Sequence, residues 1–398
     1  MIKPRDIESR LKRAEWLMRP ETQRILALLD GSSHRTRAVG GIVRDTLLDR
    51  PRAAADIDLA TELRPEEVSE RARRAGLSVY PTGIEHGTVT LKLDSVTAEV
   101  TTLREDVETD GRHAVVRFGT DWRQDALRRD FTMNALYAGM NGVLFDPLHG
   151  LDDCLSGRVR FIGKPAERIA EDRLRVYRFF RFSASHGNEQ LDREGLAACT
   201  VAAGTLGRLA AERVGAEMRR MLGLDRVAKT LRAMRDAAVL DLPEVAIDHL
   251  HSYERRVRKP QLTARLAIVS AETGIEPLRA MWRLSNDEVK SAESVLAAAG
   301  LIGDFALNEA AYRYPGALTD GIDVAATLSN WSEAGKLAVV EQLQRLDVPR
   351  FPIGGNDLVG IGMSPGKALG AELQRLERAW IESGFALDRT ALLEMARG

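Results

Sequence analysis

Apolar and polar residues alternate over Thr36–Val39, Asp56–Thr61, Leu77–Pro81, Thr88–Leu93 and Thr97–Leu103, the period-two pattern of half-buried strands. Helical spacing over Val43–Leu48 and Pro65–Ala75 interleaves with these runs, and Gly and Pro punctuate the joins. Residues 1–30 also carry helical spacing. Met1–Leu17 mixes charge with apolar residues and lacks an uninterrupted apolar run, so it reads as an amphipathic helix and not as a signal peptide. Strand signals stop near Val143–Pro147, and beyond Leu151 almost every long segment has the helical period. The pattern predicts an α+β protein, an α/β head with a mixed sheet followed by an all-α remainder. Glycine breaks near Gly223, Gly274 and Gly303, and the stretch Phe351–Gly355, subdivide that remainder.

Composition changes this picture little. At 398 residues the chain exceeds one compact core. No run of eighteen apolar residues exists, so no membrane helix is expected. Cys154 and Cys199 are the only cysteines and have no metal or redox spacing, which suits a reducing cytoplasm. Charge is more informative. The net charge is −1, yet Arg158–Phe182 holds eight Lys/Arg against three Asp/Glu, and Arg255–Arg265 holds five basic residues and no acidic one. Such stretches fit either a polyanion-binding face or solvated helix surfaces.

Four constellations carry chemistry. In Ala38-Val39-Gly40-Gly41-Ile42-Val43-Arg44-Asp45 a strand runs through two glycines into a helix. Turned backbone N–H groups and a helix N-terminus suit a phosphate chain, with Arg44 adding a planar fork; alone, the pair also fits a plain turn. In Asp56-Ile57-Asp58 alternate strand residues share a face, so both carboxylates point one way. Carboxylates roughly 6–7 Å apart along a strand can hold two Mg²⁺ ions about 3.5–4 Å apart. Glu99 on a later strand is a candidate third carboxylate. In Arg128-Arg129-Asp130 two arginines beside an aspartate enter what reads as an apolar helix, fitting contacts to ligand phosphate or ribose, or an ordinary Asp N-cap. In Glu171-Asp172-Arg173-Leu174-Arg175, helical spacing sets Asp172 beside Arg175. A carboxylate beside a guanidinium complements the amino donor and ring-nitrogen acceptor shared by cytosine and adenine, and opposes uracil and guanine. Arg178 and Arg181 extend the basic face; an amphipathic helix with salt bridges fits the same residues.

In this order the segments closely resemble the class II CCA-adding tRNA nucleotidyltransferase and bacterial poly(A) polymerase family of the DNA polymerase β superfamily. The resemblance covers Arg37 to about Leu222 and includes two further motifs, Asp146-Pro147-x-x-Gly150 and Arg208-Leu209-Ala210-Ala211-Glu212-Arg213-Val214. Arg173 stands where the family usually has proline. The resemblance implies a nucleotidyltransferase head over 1–150, a neck with the base-reading helix over 151–222, a helical body over 223–310 and an RNA-binding tail over 311–398. It implies catalysis with Mg²⁺ held by Asp56 and Asp58, triphosphate contacts from Gly40, Gly41, Arg44 and Arg129, and base reading by Asp172 and Arg175 with Arg178 and Arg181 nearby. ATP, CTP and tRNA are the implied partners. A brace on the neck helix from the motif ending in Arg213 and Glu217 is implied as well.

Thr82-Gly83-Ile84-x-His86-Gly87 and Glu99-Val100-Thr101-Thr102 look like CCA-adding members, and Arg104–Gly119 resembles the mobile loop of enzymes that complete the final A. Poly(A) addition and an idle RNA-binding relative are the alternatives. In the tail, a helix is expected from Ser364 with Pro365 at its first position, placing Lys367 where an RNA phosphate could bind, or making a plain connector. His249-x-His251 is not expected to bind metal, because residues two apart on a helix diverge.

Overall fold

The computed structural model describes residues 9–50, 56–109 and 114–397, with only the backbone of 82, 86, 105–109 and 114–116. The chain divides into two compact units, Met1–Arg213 with Ala233–Leu240, and Val214–Arg232 with Asp241–Gly398. The part of the expected N-terminal helix before residue 9 lies outside the described residues.

The first unit is built on a seven-stranded sheet. Its strands are β1 (Thr36–Val39), β2 (Asp56–Thr61), β3 (Ser78–Gly83), β4 (Thr88–Leu93), β5 (Val96–Thr102), β8 (Tyr137–Ala138) and β9 (Leu144–Phe145), and their spatial order is β3-β4-β5-β2-β1-β8-β9. All neighbours are antiparallel except β2 and β5, which run parallel. The alternation in the sequence becomes burial: Ile57, Leu59, Val89, Leu91, Ala98 and Val100 face the core, while Asp56, Asp58, Lys92 and Glu99 are exposed. The helix Pro65–Arg74 buries Val68 and Ala72 and packs on β3, β4 and β5. Behind β1, Val39, Ala60, Leu103, Trp122, Ala135 and Tyr137 form one apolar cluster.

Two expectations need revision here. Arg104–Gly119 contains a second, two-stranded antiparallel sheet, β6 (Arg104–Thr109) with β7 (Ala114–Phe118), broken by a bulge between Asp106 and Glu108. Residues 110–113, including Gly111, lie outside the described residues. After Arg128–Asp130 no long helix forms, only a 3₁₀ turn, Thr132–Asn134. The Asp130 carboxylate accepts from the Phe131 N–H and from the Asn134 amide, which tightens the turn, and the chain must then enter β8 beside β1.

The second unit is helical. Ser285 and Glu288 form a reciprocal capping box at the helix Asn286–Gly303, and Ser332 caps Glu333–Arg345. The basic stretch Arg255–Arg265 is not all surface, because Arg265 is fully buried. Its guanidinium donates to the carbonyls of Leu222, Leu224 and Asp225 and pairs with Glu254 at 2.9 Å. A helix C-terminus leaves carbonyls without partners, and this buried arginine satisfies several at once. Near the C-terminus, Ile353, Leu358, Leu376, Trp380 and Leu392 form a separate core.

Candidate active site

Asp56 and Asp58 open β2 with Ile57 buried between them at 2% exposure. Parallel register sets Glu99 of β5 directly beside Asp58, and Thr97 beside Asp56. The three carboxylates therefore belong to one sheet face. Among the described residues no three Asp, Glu, His or Cys side chains converge closely enough to enclose a metal ion, so Glu99 stands beside the pair without closing a triad. An exposed pair of carboxylates fits Mg²⁺, which keeps several waters and binds through one or two carboxylates plus substrate phosphates.

The glycine turn sits one strand away. Gly40 has φ of 75°, a left-handed backbone that favours glycine, and its N–H donates to the Leu136 carbonyl at 3.1 Å. The helix Gly41–Leu47 begins directly after it with no side-chain cap. Arg44, expected to face phosphate, turns inward instead. Its side chain is 7% exposed; Nη1 donates to Asn134 Oδ1 at 2.6 Å and Nε to Asp45 Oδ1 at 2.8 Å. Arg129 does reach the glycine turn, with Nη1 3.9 Å from where a Gly40 side chain would begin. Asp125, fully buried, anchors Arg129 at 3.1 Å and accepts from Tyr137 at 2.9 Å. Burial works to raise the Asp125 carboxyl, but Arg129 and Arg128 outweigh it and hold the group below its ordinary value.

The base-reading segment departs from the regular helix its spacing suggests. The helix Pro165–Glu171 ends, Asp172 is extended (φ −146°, ψ 105°), and a new helix, Leu174–His186, follows. Asp172 Oδ1 accepts from the Leu174 N–H at 3.0 Å, a local side-chain bond that competes with helix continuation, and Oδ2 pairs with Arg213 at 2.8 Å. Arg175 pairs with Glu171 at 2.6 Å and donates to the Arg168 carbonyl at 2.8 Å, so here it partners Glu171 and not Asp172. Arg178 turns to Asp130 with Nε at 2.8 Å, and Arg181 lies 4.2 Å from the Phe182 ring centroid.

Arg168 ties these parts together. It is nearly buried, donates to the Arg128 and Arg129 carbonyls at 2.6 and 2.7 Å, and pairs with Glu171. The Asp146-Pro147-x-x-Gly150 motif acquires a steric reason too. Asp146 accepts from the Gly150 and Leu151 N–H groups at 2.9 Å each, and a Cβ on Gly150 would lie 2.2 Å from the Thr132 carbonyl oxygen.

Residues 36–160 match the family described as the poly A polymerase head domain. A mouse protein named CCA tRNA nucleotidyltransferase 1, mitochondrial, is 32% identical over 383 residues, covering 91% of this chain and 86% of its own length. The chain belongs to the CCA tRNA nucleotidyltransferase family. A CCA-adding enzyme of Limosilactobacillus fermentum is 30% identical over 391 residues, covering 94% and 95% of the two chains. The fold matches a crystal structure of the Bacillus stearothermophilus CCA-adding enzyme in complex with CTP at a TM-score of 0.78 and 24% identity, covering 96% and 98%. As a nucleotidyltransferase of the polymerase β superfamily, this CCA tRNA nucleotidyltransferase relative is expected to use a divalent metal ion.

In the second unit of this family member, Lys367 is exposed at the first position of the helix Lys367–Glu382. The helix starts three residues later than Ser364 because Gly366, with φ of 151°, lies outside helical space. His249 and His251 diverge: His249 lies 3.7 Å from Glu272, and His251 lines a cavity of about 580 Å³ with Arg255 and Trp331. Among the described residues, no helix is long and apolar enough to cross a membrane. Sequence reasoning missed Asp45, Asp125, Asn134, Arg168 and His186 as members of the site. Arg168 with Glu171, and Asp125 with Arg128 and Arg129, had a usable signal, since residues three and four apart on a helix meet; Asn134 meets Arg44, and His186 meets Asp45, only through tertiary contacts.

Proposed function

We propose that this protein adds C and A nucleotides from CTP and ATP to the 3′ end of tRNA lacking its CCA, without a nucleic-acid template. The carrying observation is that one unit holds the carboxylate face of β2, the glycine turn with Arg129 beside it, and the Asp172/Arg175 segment tied to Arg128 and Arg129 through Arg168. Likeness over nine-tenths of the chain to proteins named as CCA tRNA nucleotidyltransferases supports it.

In this reading Asp56 and Asp58 hold Mg²⁺, with Glu99 at the edge of the site. The ion, when bound, supplies charge neutralisation for the triphosphate and lowers the pKa of the attacking 3′-hydroxyl. Gly40, Gly41 and Arg129 seat the triphosphate, and Arg44 secures the turn from behind. Asp172 and Arg175 select C or A by their donor–acceptor pattern, which requires each to leave its present partner, Arg213 or Glu171. Arg178 and Arg181 line the same segment. We divide the labour as head 1–150, neck 151–222, body 223–310 and tail 311–398, with Lys367 contacting RNA. The two buried free thiols, Cys154 and Cys199, suit a reducing cytoplasm.

Extension of a tRNA ending before its CCA, with labelled CTP and ATP, tests this. Addition of C followed by a terminal A is expected. A second reading, poly(A) addition, is favoured by the description of the matching head domain; runs of A on unstructured RNA, with no C added to tRNA, would establish it instead.

A further inference from the structure

Six side chains close a ring of hydrogen bonds that leaves the helix Leu174–His186 and returns to it. Arg178 Nε donates to Asp130 Oδ2 at 2.8 Å. Asp130 Oδ1 accepts from Asn134 Nδ2 at 3.0 Å. Asn134 Oδ1 accepts from Arg44 Nη1 at 2.6 Å, and Arg44 Nε donates to Asp45 Oδ1 at 2.8 Å. His186 Nε2 lies 3.2 Å from that same oxygen. The ring thus passes from the Arg-Arg-Asp segment to the helix of the glycine turn, and both of its ends lie on the base-reading helix.

Asn134 occupies a singular place in this ring. Arginine only donates, so the amide oxygen must face Arg44; an ionised aspartate only accepts, so the amide nitrogen must face Asp130. Both neighbours are charged and nearly buried, as is Asn134 itself, at 6%, 9% and 7% exposure for Arg44, Asp130 and Asn134. A buried amide with both poles committed has one orientation, and it transmits that orientation in both directions. Burial tends to raise the Asp130 carboxyl, but Arg178 and the Asn134 amide hold it low, so the acceptor role of Asp130 is secure near neutral pH.

We propose that Asn134 is a positioning residue that couples the base-reading helix to the glycine turn, so that the base and the triphosphate of an incoming nucleotide are seated together. This rests on the nucleotide-addition reading above.

Asn134→Asp is the sharpest test, because it keeps the shape and replaces one donor by an acceptor facing Asp130. CTP binding is measured without RNA. The CTP-to-UTP preference is measured on tRNA ending before its CCA, and the thermal midpoint is followed alongside. CTP affinity is expected to fall about ten- to a hundredfold at pH 8 and the CTP-to-UTP preference to fall with it. Part of the affinity should return at pH 6, where the two facing carboxylates can share a proton. A variant with a lowered midpoint but wild-type CTP affinity and preference would overturn the proposal, since Asn134 would then be structural only. If Asn134→Asp does not fold, Asn134→Ser, whose hydroxyl is too short to span both partners, carries the same expectation and the same overturning result. Because CTP binding needs no RNA, a wild-type protein that binds CTP yet does not extend tRNA would remove the functional reading and leave this coupling to stand or fall by itself.

Discussion

Asp56 and Asp58 stand exposed on a strand whose intervening residues are buried, whereas Asp45, Asp125 and Asp130, in the same unit, sit among arginines with little or no contact with solvent. An exposed carboxylate stays hydrated and can exchange water for a metal ion at little structural cost. A buried one is tolerated only while its guanidinium remains, and removing either partner leaves an uncompensated charge. Function and stability should therefore separate at the first region and stay entangled at the second.

The largest expected effect tests that separation directly. Asp56→Ala or Asp58→Ala should lower nucleotide addition by about a thousandfold or more while moving the melting midpoint by less than about 2 °C. Incorporation near wild type at saturating Mg²⁺ would remove both from the chemistry. Next in size is the β6–β7 hairpin, which is an appendage to the main sheet. Its deletion should leave C addition intact and slow the final A on the order of a hundredfold, giving RNA that ends in CC; a deletion variant that completes CCA at the normal rate would exclude the hairpin from the final step.

Asp172 lies between the two regimes, one oxygen engaged by Arg213 and the other by the Leu174 N–H. Asp172→Ala should raise UTP and GTP use relative to CTP and ATP by about ten- to a hundredfold. An equal fall for all four nucleotides would instead assign Asp172 to the buried class. The buried class itself has a pH signature. Burial lowers the pKa of His186 below its ordinary value despite the hydrogen bond to Asp45, so the unfolded chain takes up the proton more readily. Stability is then full above the ordinary histidine value and is lost as pH falls through it toward the depressed folded one. Melting curves from pH 7.5 to 5.5 should show a decline that His186→Gln reduces, on the order of 2 °C; identical curves would show that this histidine does not report on the buried ring it joins through Asp45. The smallest effect is expected at Lys367. Lys367→Glu should weaken tRNA binding, leave nucleotide choice alone, and flatten the salt dependence by about one phosphate contact. An unchanged slope would make this helix start a connector only.

The exposed region was the legible one. β1, β2 and β4 begin and end where alternation places them, and the shared face of Asp56 and Asp58 follows from a period of two. β8 and β9 could not be read, since two residues each give no period to detect and they exist only by pairing with β1 and with each other. The buried ring escaped for a related reason: Asn134 and Arg44 are ninety positions apart, and nothing local links them. The base-reading segment was half legible. Arg175 has acidic residues three and four positions before it, and the pairing with Glu171 follows the favoured order, acid four residues ahead of base. Helical spacing alone gave no sign that the Asp172 side chain would cap Leu174 and interrupt the helix.

The parallel pairing of β2 with β5 also sets when the enzyme can come into being. Every other neighbour in the sheet is antiparallel, but Asp58 meets Glu99 only after the helix Pro65–Arg74 and the hairpin of β3 and β4 have been made and folded back. β1 is then completed on its other side by Ala138. Pairings of this kind are slow because a long loop must close before any contact rewards it. A growing chain still short of β5 therefore holds both aspartates but lacks the parallel strand that sets Glu99 beside them. Ribosome-bound chains released before and after that point should differ in protease resistance as sharply as they do in activity, so that an incomplete polypeptide does not act on RNA.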